Sequence, residues 1–451
     1  MNRLMIFSAV ILLSLLASCN KYLDVKSNGT FVVPNNLESL QKILDGSNYI
    51  NSNICAMGEA ASDNYFLTAG TYNAMSEDWR RFYLWDNYEY TYGNDWDRAY
   101  LTVYNCNLVL DELKKIERKP ENGIMYDNIK GTALFFRSVQ YLSLVWTFAK
   151  AYDPNTAVND LGIVLRGSSD FNELSSRASV QQCYDRIIAD LIEGERLLPN
   201  NTSHVMRPSK ISAYGMLART FLSMRKYDEA LKYADLYLLQ KNGLLNFNDQ
   251  SHVDWSKQYS FSQFNHETDS YMEMSPNGLI AQNSTLVDTL LYSSYNENDL
   301  RKKAYFKSMS DNYMTFVGSY SSGSALFAGI ATDEMLLTRS ECLARAGRAS
   351  DALLDLNKLL QSRFSVGTFM PIMLEDNKTV LQIILNERRK ELVFRGLRWI
   401  DIKRLNKEGA DISIKRRIEG KDYILTANEN RFALPLPMDI IAETGMPQNP
   451  K

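Results

Sequence analysis

The chain has 451 residues, 45% of them hydrophobic, with a formal net charge of −3. That length allows a large core, and near-balanced charge without a basic stripe argues against nucleic acid as a partner. Only three histidines occur, His204, His252 and His266, none in a metal-ligand pair, and there is no phosphate-cradling glycine-rich loop, so no cofactor is expected.

Met1-Asn-Arg-Leu is a short basic start, Ile6 to Leu16 an apolar run, and Leu16-Ala-Ser-Cys19 a small-residue site ending in cysteine. The run is too short to span a bilayer comfortably, so residues 1–18 read as an export signal. The Leu-Ala-Ser-Cys ending resembles a bacterial lipobox, which implies cleavage before Cys19 and acylation of its thiol and new amino terminus. Several acyl chains together anchor stably where one is marginal. The alternative is an ordinary signal peptide beside an incidental cysteine.

Between Trp79 and Tyr92 seven of fourteen residues are aromatic: Trp79, Phe82, Tyr83, Trp85, Tyr88, Tyr90 and Tyr92. The whole chain is 11% aromatic, so the enrichment is local. Flat rings interleaved with polar groups suit sugars, whose ring faces are apolar and whose rims carry hydroxyls. Trp79, Tyr83, Trp85 and Tyr88 are the candidate stacking residues here; the alternative is that these rings pack inward. Asp63, Asp78, Asp86 and Asp95 could supply the carboxylate pair about 5 to 10 Å apart that a glycoside hydrolase needs. Acids are equally common in sugar-binding loops, and the expectation is a protein that is not an enzyme.

Helical spacing then takes over. Ala99, Val103, Cys106, Leu110 and Leu113 form one stripe, Phe135, Val139, Leu142 and Trp146 a second, and Val180, Tyr184, Ile187, Leu191 and Leu198 a third. Asp153-Pro and Ala178-Ser read as breaks and caps, and Trp96 and Trp146 are assigned to the core. Cys55, Cys106, Cys183 and Cys342 have no framework or metal spacing, so no disulfide is proposed. Tyr214, Leu217, Ala218, Phe221, Tyr227 and Ala230 resemble a tetratricopeptide helix pair, and Leu336, Leu343, Gly347, Ala349 and Ala352 do so more loosely. Plain helix packing is the alternative. The two units lie too far apart for a tandem repeat of about 34 residues, so no continuous superhelix is expected.

Residues 242–328 break the helical pattern and are rich in Asn, Ser, Tyr and Gly. So long a loop is more often functional than idle. It reads as one wall of a ligand-binding face, with Trp255, Tyr271 and Tyr320 as candidates. Helices are expected over about 94–241 and 330–405, giving a mainly α chain.

Near the C-terminus Leu381, Ile384, Leu385, Arg388 and Leu392 share one helical face, so Arg388, Glu387 and Glu391 border an apolar stripe. Arg398 and Asp401 are three apart and share a face. The expected role is a structural ion-pair network.

The stretch Asn386-Glu-Arg-Arg-Lys-Glu-Leu-Val-Phe-Arg-Gly-Leu-Arg-Trp-Ile-Asp-Ile-Lys-Arg404, with Leu434-Pro-Leu-Pro-Met-Asp-Ile-Ile and the closing Gln448-Asn-Pro, resembles the SusD/RagB family of outer-membrane nutrient-binding lipoproteins. Lys21-Tyr-Leu-Asp-Val resembles the start of mature SusD-like chains, and Asn298-Asp-Leu-Arg301 a D-x-R element of the family's middle region. Arg395 and Asp439-Ile440 depart from the pattern, which usually has Glu and Glu-Ile. The resemblance implies a SusD-like fold over 19–451, with dispersed tetratricopeptide-type helix pairs supporting a loop-rich region. It also implies an outer-membrane lipoprotein, facing the exterior, that captures glycan and acts as a lid over a SusC-like TonB-dependent β-barrel transporter. Relatives of the RagB type handle peptides, the alternative cargo. The family's ligand-binding residues follow no strict motif, so none is carried over.

Overall fold

The computed structural model describes residues 34–86, 88–91, 93–282, 284–309 and 313–450. Cys19, the export segment, Asn87 and Tyr92 therefore lie outside the described residues. The longer helices are α1 (Leu37–Leu44), α2 (Asp95–Leu113), α3 (Gly123–Phe148), α4 (Val180–Leu197), α5 (Lys210–Ser223), α6 (Tyr227–Leu238), α7 (Thr332–Arg345), α8 (Ala349–Arg363), α9 (Asn377–Glu391) and α10 (Arg398–Asn406). The chain is mainly helical, as the periodicity implied. No described helix is long and apolar enough to cross a membrane.

Several helices start at a side chain that satisfies the free amides of the first turn. Asn36, Asn94, Ser179 and Ser209 each cap α1, α2, α4 and α5 reciprocally with the residue three positions on. From Gly131 to Phe148 every residue of α3 is buried, as is every residue of α5 from Ile211 to Ser223. A helix buried all round belongs at the centre of a large core, and α3 packs against both α2 and α4. From there α4 packs on α5, α5 on α6, α6 on α7, and α7 on α8 and α9.

The two tetratricopeptide-like stretches are the pairs α5–α6 and α7–α8. Their turns place Arg225 at φ 62° and Gly347 at φ 79°, the left-handed conformation that reverses the chain sharply. Small residues sit at the contacts, with Ala218 and Ala230 fully buried. A Cβ on Gly215 would lie 2.5 Å from Ile330 Cγ2, so only glycine lets α5 meet the strand before α7.

Between α6 and α7 the chain is irregular, with short helices at Thr289–Ser293 and Arg301–Tyr305. Thr268–Ser270 pairs antiparallel with Ile330–Ala331, and Phe306–Ser308 with Met314–Phe316. After α10 a hairpin pairs Ile414–Ile418 with Lys421–Leu425. The tail is clamped by its own polar groups. Asn449 Nδ2 donates to the Phe148 and Leu434 carbonyls at 2.7 and 2.6 Å, and Gln448 bonds Leu436 in both directions. The Gln-Asn-Pro end thereby caps the C-terminus of α3.

The charges of α9 and α10 are internal. Arg388 Nε is 2.9 Å from Asp401, which also accepts from Arg404 at 2.7 Å, and Arg404 continues to Glu341 on α7. Arg398, expected to act with Asp401, turns instead to Asp63 at 2.7 Å. Arg301 pairs with Asp299, Glu387 and Glu391, and Arg363 pairs with Glu391 and Glu267, pinning the irregular segment to α8 and α9. Arg395 pairs with Asp333 at 3.1 Å and lies over the rings of Phe327 and Tyr320.

Candidate functional site

Five of the seven candidate stacking residues are in the interior, which corrects their placement on an open face. Tyr83 is 1% exposed, Trp85 4%, Tyr88 7%, Tyr271 2% and Tyr320 1%. The reason is internal chemistry that periodicity does not reveal. Tyr83 and Trp85 surround Arg416 from the C-terminal hairpin, and Tyr88 stands edge-on to Phe82 at 4.9 Å. Trp79 is 39% exposed, on a short helix, Glu77–Tyr83, and makes an edge contact with Phe82. Trp255 is half-buried beneath Lys303, whose ammonium lies 6.0 Å from its ring. Trp96 and Trp146 are buried, as expected.

The four acids that could serve hydrolysis sit in different settings. Asp63 carries Arg398 and Arg389; burial raises its carboxyl, but the two guanidiniums outweigh that and hold it well below the usual range. Asp95 is buried and accepts from the Ala56 and Met57 amides at 2.6 and 2.7 Å. Burial pushes it up to about 6. Asp78 and Asp86 are exposed. The four cysteines among the described residues, Cys55, Cys106, Cys183 and Cys342, are buried free thiols, each raised by desolvation.

An open cleft of about 400 Å³ lies elsewhere, lined by Asp45, Ser47, Asn51, Ser203, His204, Met206 and Arg207. Its floor is set by Asn51, whose Nδ2 donates to the Met206 and Tyr271 carbonyls at 3.0 and 2.9 Å. Arg207 grips Asp45 through two bonds of 2.8 and 2.7 Å, so the charged groups of one wall cancel. The His204 ring is held by the Met206 amide at 3.2 Å.

Aromatic groups border this cleft. His204 meets Phe264 edge-on at 4.5 Å, and Phe264 is 37% exposed. Its φ is 59°, a strained conformation for a bulky residue and one that clusters at functional sites. Tyr49, 57% exposed, stands on the one-turn helix Ser47–Ile50 that begins at the cleft. Behind Phe264 the rings continue inward to Tyr271 at 4.8 Å, Phe327 at 5.6 Å and Tyr320 at 5.5 Å. The Tyr271 hydroxyl receives from Gln263 at 3.0 Å and donates to Glu273. Tyr271 and Tyr320 are thus brought together as a buried support for the rim, and Trp79 and Trp255 are in ring contact with neither. Sequence reasoning missed Asp45, His204, Arg207 and Phe264 because they meet only in three dimensions. The available signal was Phe264, set between the polar Gln263 and Asn265 in the irregular segment.

A family model described as "Starch-binding associating with outer membrane" matches residues 21–222, and a model described as "SusD family" matches 253–433. No curated protein matches the chain. A SusD superfamily protein of Bacteroides thetaiotaomicron is similar in structure, with TM-score 0.73 and 19% identity, covering 92% of this chain and all of that one. A protein of Bacteroides vulgatus described as a putative sugar binding protein has TM-score 0.72 and 20% identity over 93% of this chain and 99% of its own. A SusD-like carbohydrate binding protein of the same species has TM-score 0.64 and 18% identity, over 91% and 97%. At these identities the structures share the fold.

Proposed function

We propose, for a chain that belongs to the SusD/RagB family, that it captures carbohydrate in the cleft at Asp45, His204 and Arg207 and passes it to a SusC-like TonB-dependent transporter. The observation that carries this reading is a polar cleft of about 400 Å³ with an exposed, strained phenylalanine at its border. The cancelled Asp45–Arg207 pair and the hydroxyls of Ser47 and Ser203 suit a neutral polyhydroxyl ligand better than a charged one. Phe264 and Tyr49 offer flat faces for its apolar side.

Anchoring follows from Cys19, which we read as the acylated first residue of an exported lipoprotein on the outer face of the outer membrane. Binding on so open a site is expected to be weak, with Kd about 1 mM to 1 μM, or roughly 4 to 8 kcal/mol. Weak capture suits a protein that hands its ligand on.

Calorimetric titration of the purified protein with a glycan panel is the test. Saturable binding that Phe264→Ala weakens supports the reading. Binding of peptides and of no glycan would favour the RagB-type cargo, and appearance of glycan cleavage products would make the protein a hydrolase.

A further inference from the structure

Three cations and four acids meet out of water where the irregular segment rests on α7, α8 and α9. Arg301, Arg363 and Arg395 face Asp299, Glu267, Asp333 and Glu391, and these side chains are 0 to 5% exposed. At the edge of the cluster Glu387 and Lys390 pair with each other and add no net charge. With every acid ionised, one negative charge would be buried without a counter-charge. Such a group takes up a proton instead.

Hydrogen bonding singles out the group. Tyr320 Oη is 2.8 Å from Glu267 Oε2 and 3.3 Å from Asp333 Oδ2, and a phenol has one hydrogen to serve two carboxylate oxygens. Asp333 already holds Arg395 at 3.1 Å and the Glu334 amide at 2.7 Å. Glu267 Oε1 accepts from the Leu245 amide and Arg363 at 2.6 and 2.9 Å, whereas Oε2 meets only the phenol. We propose that Glu267 is a buried neutral acid whose proton, on Oε2, is donated to Tyr320 Oη while the phenol hydrogen goes to Asp333 Oδ2. Every hydrogen in the relay then has an acceptor, and the cluster is neutral.

The surroundings agree with this assignment. Glu267 is faced by Arg363 of α8, Glu391 of α9, Asp333 of α7 and Tyr320, with Lys241 just beyond α6 held on the Thr268 carbonyl at 2.6 Å. Burial, aided by Asp333 and Glu391 and opposed by Arg363, raises the carboxyl to about 7. A raised acid contributes stability that is full below its unfolded value near 4.3 and is lost as pH rises through the folded one. The strand Thr268–Ser270 begins at the next residue, so this proton belongs to the joint that fastens the irregular segment to α7.

The test combines infrared difference spectra with denaturant unfolding from about pH 6 to about pH 8. The wild type should show the carbonyl band of a buried protonated carboxyl that fades across this range, and Glu267→Gln, which mimics the neutral acid, should lack it. Over the same range the wild-type folding constant should fall about tenfold more than that of Glu267→Gln. Parallel pH profiles, or a band that survives in Glu267→Gln and vanishes in Asp333→Asn, would overturn the assignment. If Glu267→Gln does not fold, Tyr320→Phe decides: a shifted band supports the relay, and an unmoved band refutes it.

Discussion

The guanidinium carbon of Arg416 lies 3.9 Å from the centroid of the Tyr83 ring, with Trp85 at 4.4 Å and Tyr65 at 5.3 Å on its other sides. Arg416 Nη2 also donates to the Ala60 and Ser62 carbonyls, at 2.9 and 3.0 Å. The aromatic density near residue 85 therefore holds one of the protein's own cations. A desolvated cation over such rings is worth about 2 kcal/mol or more, so the hairpin strand Ile414–Ile418 is fastened to the N-terminal third of the chain.

Truncating this cage should unfold the protein before it affects any ligand. Trp85→Ala is expected to cost about 3 to 5 kcal/mol of folding free energy, as for other buried aromatic truncations. Chemical denaturation of the variant checks this, and unchanged stability with lost glycan binding would return Trp85 to the binding face.

The cleft border should behave in the opposite way. Phe264→Ala and Tyr49→Ala are each expected to weaken glycan binding about tenfold, near 1.4 kcal/mol. Their melting temperatures should move little, because an exposed ring gains most of its contacts when a ligand covers it. Calorimetry and circular dichroism on the same samples measure both quantities.

Arg388→Ala and Asp401→Ala should each destabilise by about 3 to 5 kcal/mol, since each leaves a buried partner uncompensated. The double variant should cost less than the sum of the two. Additive losses in a double-mutant cycle would mean that the pair does not interact.

Acid should weaken the same region. Burial alone would raise the Glu341 carboxyl, but Arg404, Arg345 and Arg388 together bring it down to about 2. An acid with a lowered folded value contributes stability above its unfolded pKa near 4.3, and that contribution is lost as pH falls toward 2. The loss amounts to about 3 kcal/mol. Unfolding measured between about pH 5 and pH 2.5 should show a shallower slope for Glu341→Gln than for the wild type.

Cys19→Ala should leave a folded protein that no longer partitions with the outer membrane or into detergent. Incorporation of a fatty-acid analogue that persists in the variant would exclude Cys19 as the acylated residue.

Stripe and cap signals were legible because they are local. Ser179 caps α4 where Ala178-Ser implied a start, and Arg388 borders the apolar face of α9 and pairs inward. The site was less legible, since aromatic enrichment alone cannot say what lies opposite a ring. Tyr83 and Trp85 face Arg416, and Tyr320 faces Arg395, from residues far away in sequence. The cleft is assembled from residues near 45, 204 and 264, three stretches with no shared periodicity.

The short pairing of Thr268–Ser270 with Ile330–Ala331 brings the two ends of the intervening chain side by side. What lies between is a closed excursion from the helical body. Lengthening its exposed turns adds only logarithmically to loop-closure entropy, about 0.6 kcal/mol per doubling, provided the Arg301 anchor is kept. Asp45, His204, Arg207 and Phe264 all lie outside this excursion, so its exposed turns can change length while the cleft keeps its walls.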